Sequence, residues 1–300
     1  MKTCFPLLLL ALLVSCQESG LKKQYTSKTY QVFMRDNLAG SHTSSMDSLG
    51  NYVYTFEFND RGRGPEILEK IRLDKAGNIS YLEITGVNYL KDTVAETYSY
   101  LNGSAEWKST SEAGEKVTDG SPFYSSVNST LGDNEMLIRH LLSAENHTVE
   151  LLPSGTATIS NIEKITVDFI PLRLVEITGF GFTPFYEWID EDDRIFASVS
   201  SWLSIISEEH SGMIGSLLEI QKKKEDAFFA SLAKELTETP EAKTLIQNVN
   251  LFDAKNGRIV PSQHVVVNGD QIESISSEAP NLSEGTKIID GTGKTLLPGL

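Results

Sequence analysis

The chain has 300 residues, of which 40% are hydrophobic and 22% are charged. This composition is typical of a globular protein long enough for two domains, and it excludes a disordered, collagen-like or polytopic membrane chain. Asp and Glu total 41 against 26 Lys and Arg, which gives a net charge of -15. Because such a surface repels phosphate backbones, no nucleic acid partner is expected.

The N-terminus is predicted to be an export signal. Met1 and Lys2 provide a positive start, and residues 5–14 form an apolar run roughly half as long as a bilayer-spanning helix. The run ends at Leu13-Val14-Ser15-Cys16, which resembles the bacterial lipoprotein signal, in which a Leu, two small residues and a Cys mark cleavage just before the Cys. An ordinary signal peptide with an incidental Cys is the alternative.

The lipoprotein resemblance implies a lipid anchor. Residues 1–15 would be removed, Cys16 would be acylated, and residues 16–24 would tether the folded part to a membrane. Cys4 and Cys16 are the only two cysteines, so the mature chain has no thiol for a disulfide. Because the residue after Cys16 is not Asp, the expected location is the outer membrane of the cell envelope, at its periplasmic face or at the cell surface.

Residues 25–200 are predicted to form a β-rich accessory domain. Tyr52, Tyr54, Phe56 and Phe58 alternate with other residues, which indicates a half-buried strand. Turn residues separate further strand candidates, so an antiparallel sheet is favoured. These candidates are 67–73, 79–84, 95–100, 156–159, 165–170, 172–177 and 195–200.

A single helix is predicted against this sheet, which is expected to be curved. Asp133 or Asn134 is placed as its cap, and apolar residues follow at helical spacing. The region shows no metal-binding motif, and His42 is expected to be a solvated histidine in a turn. Residues 60–65 carry two arginines and two glycines in an acidic chain, which is typical either of a charged hairpin loop or of an anion site.

Residues 201–240 are predicted to be a helical connector. Apolar residues recur at steps of three or four from Trp202 to Leu236, with a break near Ser211-Gly212. Thr237 to Pro240 then end the helix. A helix that packs one domain on the next is the preferred interpretation over a helix that lies on a lipid surface.

Residues 243–300 are predicted to contain two hairpins. One strand enters a turn at residues 254–257, and a second hairpin turns at Asn268-Gly269. The run 291–295 is similar to the end of a phosphate-binding loop. That interpretation is excluded because Ile288 stands where the loop needs a glycine, and Pro298 prevents the helix that should follow.

Three ordered segments of this region, 246–253, 265–275 and 289–300, resemble the N-terminal entry of the amidohydrolase superfamily. The residues that carry the resemblance are Asn248, Asp253, Asn268, Gly269, Asp290, Gly293, Lys294, Pro298 and Gly299. The resemblance implies the first half of a β-sandwich, followed by a (β/α)8 barrel that is absent from these 300 residues. It implies a divalent metal such as zinc, bound by residues beyond Leu300, with no catalytic residue and no metal ligand in this chain.

Two functional hypotheses follow. In the first, this mainly β (α+β) chain is the N-terminal portion of an exported, lipid-anchored, metal-dependent amidohydrolase. It would cleave a C–N bond in a small amide, cyclic amide or dipeptide-like substrate. In the alternative, the chain is a non-catalytic lipoprotein that binds an apolar or saccharide ligand. The concave face of the β-domain, lined by the four aromatic residues from Tyr52 to Phe58, would hold that ligand.

Overall fold

The computed structural model describes residues 26–35, 37–118, 120–240, 242–281 and 283–299. Strands account for 50% of the structure and helices for 17%, so the prediction of a mainly β protein is confirmed. The chain divides into two compact units, of which the first ends at Lys224 and the second begins at Glu225. The predicted signal sequence, the tether and Cys16 lie outside the described residues.

The first unit is built from one long sheet and the helices that pack on it. Its described strands are β1 (Lys28–Met34), β2 (Asn37–Met46), β3 (Tyr52–Phe58), β4 (Glu66–Leu73), β5 (Ile79–Val87), β6 (Thr93–Leu101), β7 (Ser104–Lys108), β8 (Ala113–Val117), β9 (Phe123–Tyr124), β10 (Thr148–Leu152), β11 (Thr156–Val167), β12 (Ile170–Thr178), β13 (Phe185–Ile189), β14 (Ile195–Ser198) and β15 (Leu203–Ile206). The helices are α1 (Leu131–Ser143) and the first part of α2 (Ile214–Leu236), a helix that crosses the boundary between Lys224 and Glu225, with short 3-10 segments at Glu145–His147 and Glu208–Met213.

Two meanders make up this sheet. Strands β1 to β8 form the first, β10 to β15 form the second, and β1 pairs with β15 to join them. The described neighbours are antiparallel except β9 and β10, which are parallel. The predicted antiparallel arrangement is therefore confirmed, with more strands than the alternation of apolar residues had indicated.

The sheet curves until its two ends touch. Tyr98 on β6 stacks on Tyr124 on β9, with ring centroids 5.1 Å apart. Trp107 on β7 lies 6.3 Å from the same tyrosine ring. Lys116 on β8 forms an ion pair with Glu150 on β10, with 2.6 Å between Nζ and Oε1. The predicted curved sheet with a helix against it is confirmed.

Helix α1 lies on the concave side of the sheet. Thr130 caps it, because its Oγ1 accepts a hydrogen bond from the backbone N–H of Gly132 at 2.9 Å. The predicted cap at Asp133 or Asn134 is therefore wrong. Asp133 and Asn134 lie in the first turn of the helix, and their side chains form hydrogen bonds with Ser126 and Glu187, which lie outside it. Gly132 allows close packing, since a Cβ there would lie 2.4 Å from the ring of Tyr54 on β3.

The convex side is covered by the start of α2. Met213 and Leu217 pack with Trp188 on β13 and Ile206 on β15 in a second apolar cluster. Trp202 and Ile206, predicted to be helical, belong instead to a turn and to β15. That strand is buried on both faces, so its apolar residues run without alternation and resemble a buried helix segment. No helix in the described part of the chain is long and apolar enough to cross a membrane.

The second unit contains a small mixed sheet. Its strands are β16 (Thr244–Asp253), β17 (Arg258–Asn268), β18 (Gln271–Ser276), β19 (Lys287–Asp290) and β20 (Thr295–Leu296). The order is β18-β17-β16-β19, and β20 also pairs with β16. β16, β17 and β18 are successive antiparallel strands, whereas β19 and β20 lie parallel to β16. Both predicted hairpins are thus confirmed.

Candidate functional site

The residues that carried the amidohydrolase resemblance hold turns of the second unit. Asp253 accepts hydrogen bonds from the backbone N–H groups of Lys255 and Asn256, each at 3.2 Å, and so closes the turn between β16 and β17. Asp290 does the same for Thr292 at 3.0 Å. Asn268 donates from Nδ2 to Glu273 at 3.0 Å, within its own hairpin.

The remaining residues of this set also have local backbone roles. Gly269 and Gly293 have φ of 58° and 75°, and Asn248 has φ of 56° where the register of β16 shifts. Lys294 accepts at its carbonyl from the N–H of Asn250 at 2.9 Å, which brings the 290–294 turn to β16. Pro298 and Gly299 follow β20. The turns at Asp253 and Asn268 lie at opposite ends of β17, so the set does not converge on one site.

The concave side of the first unit holds five buried carboxyl groups that the sequence analysis missed. Each of these side chains is at most 3% exposed. We refer to Glu69, Glu96, Asp133, Glu135 and Glu187 as the interior carboxyls. The sequence pattern could have indicated burial for two of them. Glu69 lies between Ile67 and Ile71, and Glu96 lies between Val94 and Tyr98, so both are on the apolar side of alternating strands.

Glu69 on β4 and Asp133 on α1 form a hydrogen-bonded carboxyl pair. Burial and the neighbouring charge of Asp133 raise the pKa of Glu69 well above its ordinary value. Burial also raises the pKa of Asp133, to about 7. Glu69 therefore keeps the proton and donates it to Asp133, while the hydroxyls of Thr130 and Ser126 donate to Glu69 and Asp133 respectively. The pair links the first turn of α1 to the sheet.

Glu96 on β6 organises the loop before α1. Its Oε1 accepts hydrogen bonds from the hydroxyl of Tyr124 and from the backbone N–H of Val127, both at 2.8 Å. Its Oε2 accepts from the N–H of Asn128 at 3.3 Å. The Glu96 side chain thus fixes the backbone of this loop to β6.

Glu187 on β13 and Glu135 on α1 fasten the other side of the helix. Glu187 accepts from Asn134 Nδ2 at 2.8 Å and from Ser198 Oγ at 3.3 Å, and burial raises its pKa to about 8. Glu135 accepts from the N–H of Ile195 at 3.2 Å and pairs with Arg139 at 3.0 Å. Glu187 is therefore protonated at neutral pH, and the helix is held by hydrogen bonds more than by charge.

A cavity of about 290 Å³ opens beside the first turn of α1. Asp133 and Asn134 contribute polar groups to its lining, and the loop before the helix contributes serine hydroxyls. Apolar side chains from β9, α1 and the β12–β13 region complete it. The lining residues are Phe123, Ser125, Ser126, Ser129, Asp133, Asn134, Leu137, Phe180 and Phe185. We call this cavity the Asp133 pocket.

The predicted aromatic binding face is occupied by the protein itself. Tyr54 and Phe58 are buried in the main core, and Tyr54 packs against Gly132 of α1. His42 is also buried, 5.6 Å from the ring of Tyr30 and 6.0 Å from that of Tyr54, and burial lowers its pKa to about 3. The prediction of a solvated His42 in a turn is wrong, because this residue points inward from the middle of β2 as a neutral imidazole.

The described residues offer no metal centre. No group of three or more His, Cys, Asp or Glu side chains in the described ranges is arranged to hold a metal ion. Burial raises the pKa values of Glu69, Asp133 and Glu187, which favours their protonated forms. These groups therefore do not match the set of ionised oxygen or neutral imidazole ligands that a divalent cation requires.

Comparison with known proteins identifies no family for this chain. No protein-family model matches it, and no curated protein matches it. Among solved structures, it is similar to a β-barrel-like protein of a domain of unknown function, DUF1849, from Brucella abortus. That similarity has a TM-score of 0.38 and 10% identity, over 60% of this chain and 95% of that chain. At this level it carries no argument about function.

These comparisons correct the predicted family. Membership of the amidohydrolase superfamily is wrong, since no model of any family matches residues 243–300 or the rest of the chain. The only support for that membership was a set of residues whose observed contacts are those of ordinary β-turns. The predicted hydrolysis of an amide substrate and the predicted zinc depended on the same resemblance, and they stay predictions that have lost this support.

Proposed function

We propose that this protein is an exported, lipid-anchored protein of the bacterial cell envelope whose first unit binds a small amphipathic molecule. The binding site is the Asp133 pocket. The observation that carries the proposal is the combination of apolar walls with the buried carboxyl pair beside the first turn of α1. Small-molecule sites have this composition, with mostly apolar lining and a few placed polar groups.

The pocket favours a ligand with a hydrogen-bond donor. Asp133 presents a carboxyl group whose pKa is about 7, and Ser125 and Ser129 add hydroxyls. Phe123, Phe180 and Leu137 would contact a ring or a short hydrocarbon chain. A ligand ammonium group would draw Asp133 to its ionised form, whereas a ligand carboxylate would be repelled by it.

The expected ligand series uses one ring with three end groups. We expect 2-phenylethylamine to bind more tightly than 2-phenylethanol, and phenylacetate to bind at least tenfold more weakly than the amine, a difference of about 1.4 kcal/mol. The measurement is isothermal titration calorimetry at pH 7 on the full chain carrying Cys16→Ser, which removes the acylation site. This variant avoids detergent, which would itself occupy an apolar pocket.

A variant that fills the Asp133 pocket tests whether the amine binds in this cavity. Ser129→Trp places an indole in the exposed mouth of the pocket, and we expect it to abolish binding of the amine. Ser111→Trp makes the same change at an exposed position in the loop between β7 and β8, and we expect it to leave binding unchanged. Equal affinity in both variants, or no binding of any of the three compounds, would overturn the proposed function.

The lipid anchor has a separate test. We expect the wild-type protein to incorporate an alkynyl fatty acid in bacteria and to fractionate with membranes. Cys16→Ser should lose the label and leave the membrane fraction, because the acyl chains provide the attachment. Cys4→Ser is the matched control, since Cys4 precedes the predicted cleavage site and its loss should change neither result. Retention of the label by Cys16→Ser would contradict the anchor.

A further inference from the structure

A second cavity, of about 380 Å³, lies where three turns of the first unit meet. The turn between β1 and β2 is joined to the turn before β15 by a hydrogen bond from the N–H of Arg35 to the carbonyl of Trp202, at 2.9 Å. The N–H of Asn59, in the loop between β3 and β4, donates to the carbonyl of Ala39 at 2.9 Å. This cavity shares no lining residue with the Asp133 pocket.

Two arginines, Arg35 and Arg61, line the cavity. Asp60 is the one carboxylate among the described lining residues. It is held by Arg61 at 2.9 Å, by Arg63 at 3.4 Å and by the hydroxyl of Tyr89 at 2.5 Å. Three arginines against one aspartate leave a local charge of +2 among these residues, in a chain whose net charge is -15. Asp36 lies outside the described residues.

An apolar wall stands beside these cations. Leu38 is 61% exposed and Trp202 is 45% exposed, although both are large hydrophobic side chains. The indole of Trp202 is held in place by Phe58 and Tyr89, with ring centroids 6.1 and 6.4 Å away. An exposed but rigidly supported tryptophan next to arginines offers one surface for hydrocarbon and one for an anion.

The backbone keeps both arginines in place against a steric penalty. Arg35 and Arg61 each have φ of 55°, in the left-handed region that favours glycine. The same loop has glycine at Gly62 and Gly64, where φ is also positive. Other turns of the described chain also place residues with side chains at positive φ, for example Lys91 and Asp193. The conformation therefore fixes where the two arginines lie, and the cavity and its apolar wall carry the functional argument.

We infer that this cavity, formed around Arg35, Arg61, Leu38 and Trp202, binds the anionic head and the adjoining hydrocarbon of an amphiphile. The head is a single carboxylate or phosphate, which matches the donor geometry of a guanidinium. The hydrocarbon lies against the indole and the leucine. The anionic group belongs either to a free organic acid or to the headgroup of a membrane lipid, and the experiment below separates these sources.

The probe for the free acid is octanoate, titrated by calorimetry into the full chain carrying Cys16→Ser. We expect octanoate to bind at least tenfold more tightly than octan-1-ol, which lacks the charge, and than sulfate, which lacks the hydrocarbon. Arg35→Gly and Arg61→Gly should each weaken octanoate binding at least fivefold. Arg35→Gly should not lower the melting temperature, because glycine adopts the same φ without strain. Arg61→Gly should lower it only slightly, because Asp60 loses one partner but keeps Arg63 and Tyr89.

Lys91→Gly is the matched control. Lys91 also has a positive φ, of 71°, and is also a cation in a turn, but it pairs with Glu66 at 2.7 Å and does not line the cavity. Its loss should leave octanoate binding unchanged. If Lys91→Gly weakens binding as much as the two arginine variants do, the effect is one of general charge and the inference fails.

The lipid source is tested by sedimentation with phosphatidylglycerol vesicles, compared with phosphatidylcholine vesicles. If octanoate does not bind, the inference requires that Arg35→Gly and Arg61→Gly reduce sedimentation with phosphatidylglycerol while Lys91→Gly does not. The inference is overturned if octanoate fails to bind and the vesicle result is insensitive to both arginines. Failure of the Asp133 pocket experiments does not affect this result, because the two cavities are lined by different residues.

Discussion

The melting temperature of the protein is expected to fall as the pH rises from 5 to 9. Burial raises the pKa of Glu187 to about 8, that of Asp133 to about 7 and that of Glu69 well above its ordinary value, so these three groups bind more protons in the folded protein than in the unfolded chain. His42, whose pKa burial lowers to about 3, acts in the opposite direction, but only below the ordinary histidine pKa of about 6.5, and it is outnumbered by the three carboxyls. The free energy of unfolding therefore decreases with pH. At about 1.4 kcal/mol per pH unit over three pH units, Glu187 alone contributes a loss of roughly 4 kcal/mol.

Glu187→Gln should remove the part of this loss that Glu187 contributes and leave the part that comes from Asp133 and Glu69. The amide oxygen can still accept from Asn134 and Ser198, and the side chain no longer ionises. We expect the variant to melt within a few degrees of wild type at pH 5 but roughly 10 °C above it at pH 9, at about 2–4 °C per kcal/mol. The measurement is circular dichroism melting at five pH values.

Glu106→Gln is the control for this prediction. Glu106 is exposed on β7, and its replacement makes the same chemical change at a carboxyl group that is not buried. Its melting temperature should follow the wild-type profile at every pH. A Glu187→Gln profile parallel to wild type would show that Glu187 does not titrate in this range, and it would contradict the assignment of a protonated carboxyl at neutral pH.

Gly132→Ala is expected to destabilise the first unit by about 3 kcal/mol. The added Cβ would lie 2.4 Å from Cδ2 of Tyr54, a distance that real contacts do not show. The tyrosine ring is 1% exposed and packed in the main core, so it has no room to withdraw. Inserting atoms into a filled core forces a shift of helix or strand, which costs about 1–3 kcal/mol or more.

Gly215→Ala makes the same substitution with the opposite expected sign. Gly215 lies in the first turn of α2, and nothing lies within 4 Å of the position of its Cβ. Alanine favours the helix there by up to about 1 kcal/mol. Urea unfolding of both variants measures the two changes. Similar values for both would mean that α1 does not pack on Tyr54 as closely as described.

Local patterns predicted much of the sheet. β3 matches its predicted range because Tyr52 to Phe58 alternate strictly, and such alternation depends only on one buried face. The Asn268-Gly269 turn was predicted from turn chemistry that acts over four residues. By contrast, β13 and β15 were missed or assigned to a helix, because strands buried on both faces have no alternation.

The second unit shows how far such patterns reach. Asp253, Asp290 and the Asn268-Gly269 pair each satisfy their own turn, through contacts that any sheet with these turns would use. The identity of these residues is therefore explained by the local requirements of their turns. The same turns in the same order as in the amidohydrolase entry did not identify a family. A family assignment needs residues that converge from distant segments, and this set does not converge.

The amino-acid sequence alone determined the β-rich character, the hairpins of the second unit and the curved sheet with a helix against it, whereas the lipid signal at Cys16 stays a prediction. The structural predictions depend on neighbouring residues and on the spacing of apolar residues, which recur every two residues in a strand and every 3.6 in a helix. The tertiary structure alone decided that Glu69 lies against Asp133, that His42 is buried, and that the turns carrying Arg35, Arg61 and Trp202 line one cavity. These placements join segments that are far apart in the chain, and the shifted pKa values of the buried groups come from removal of water, which no local pattern records.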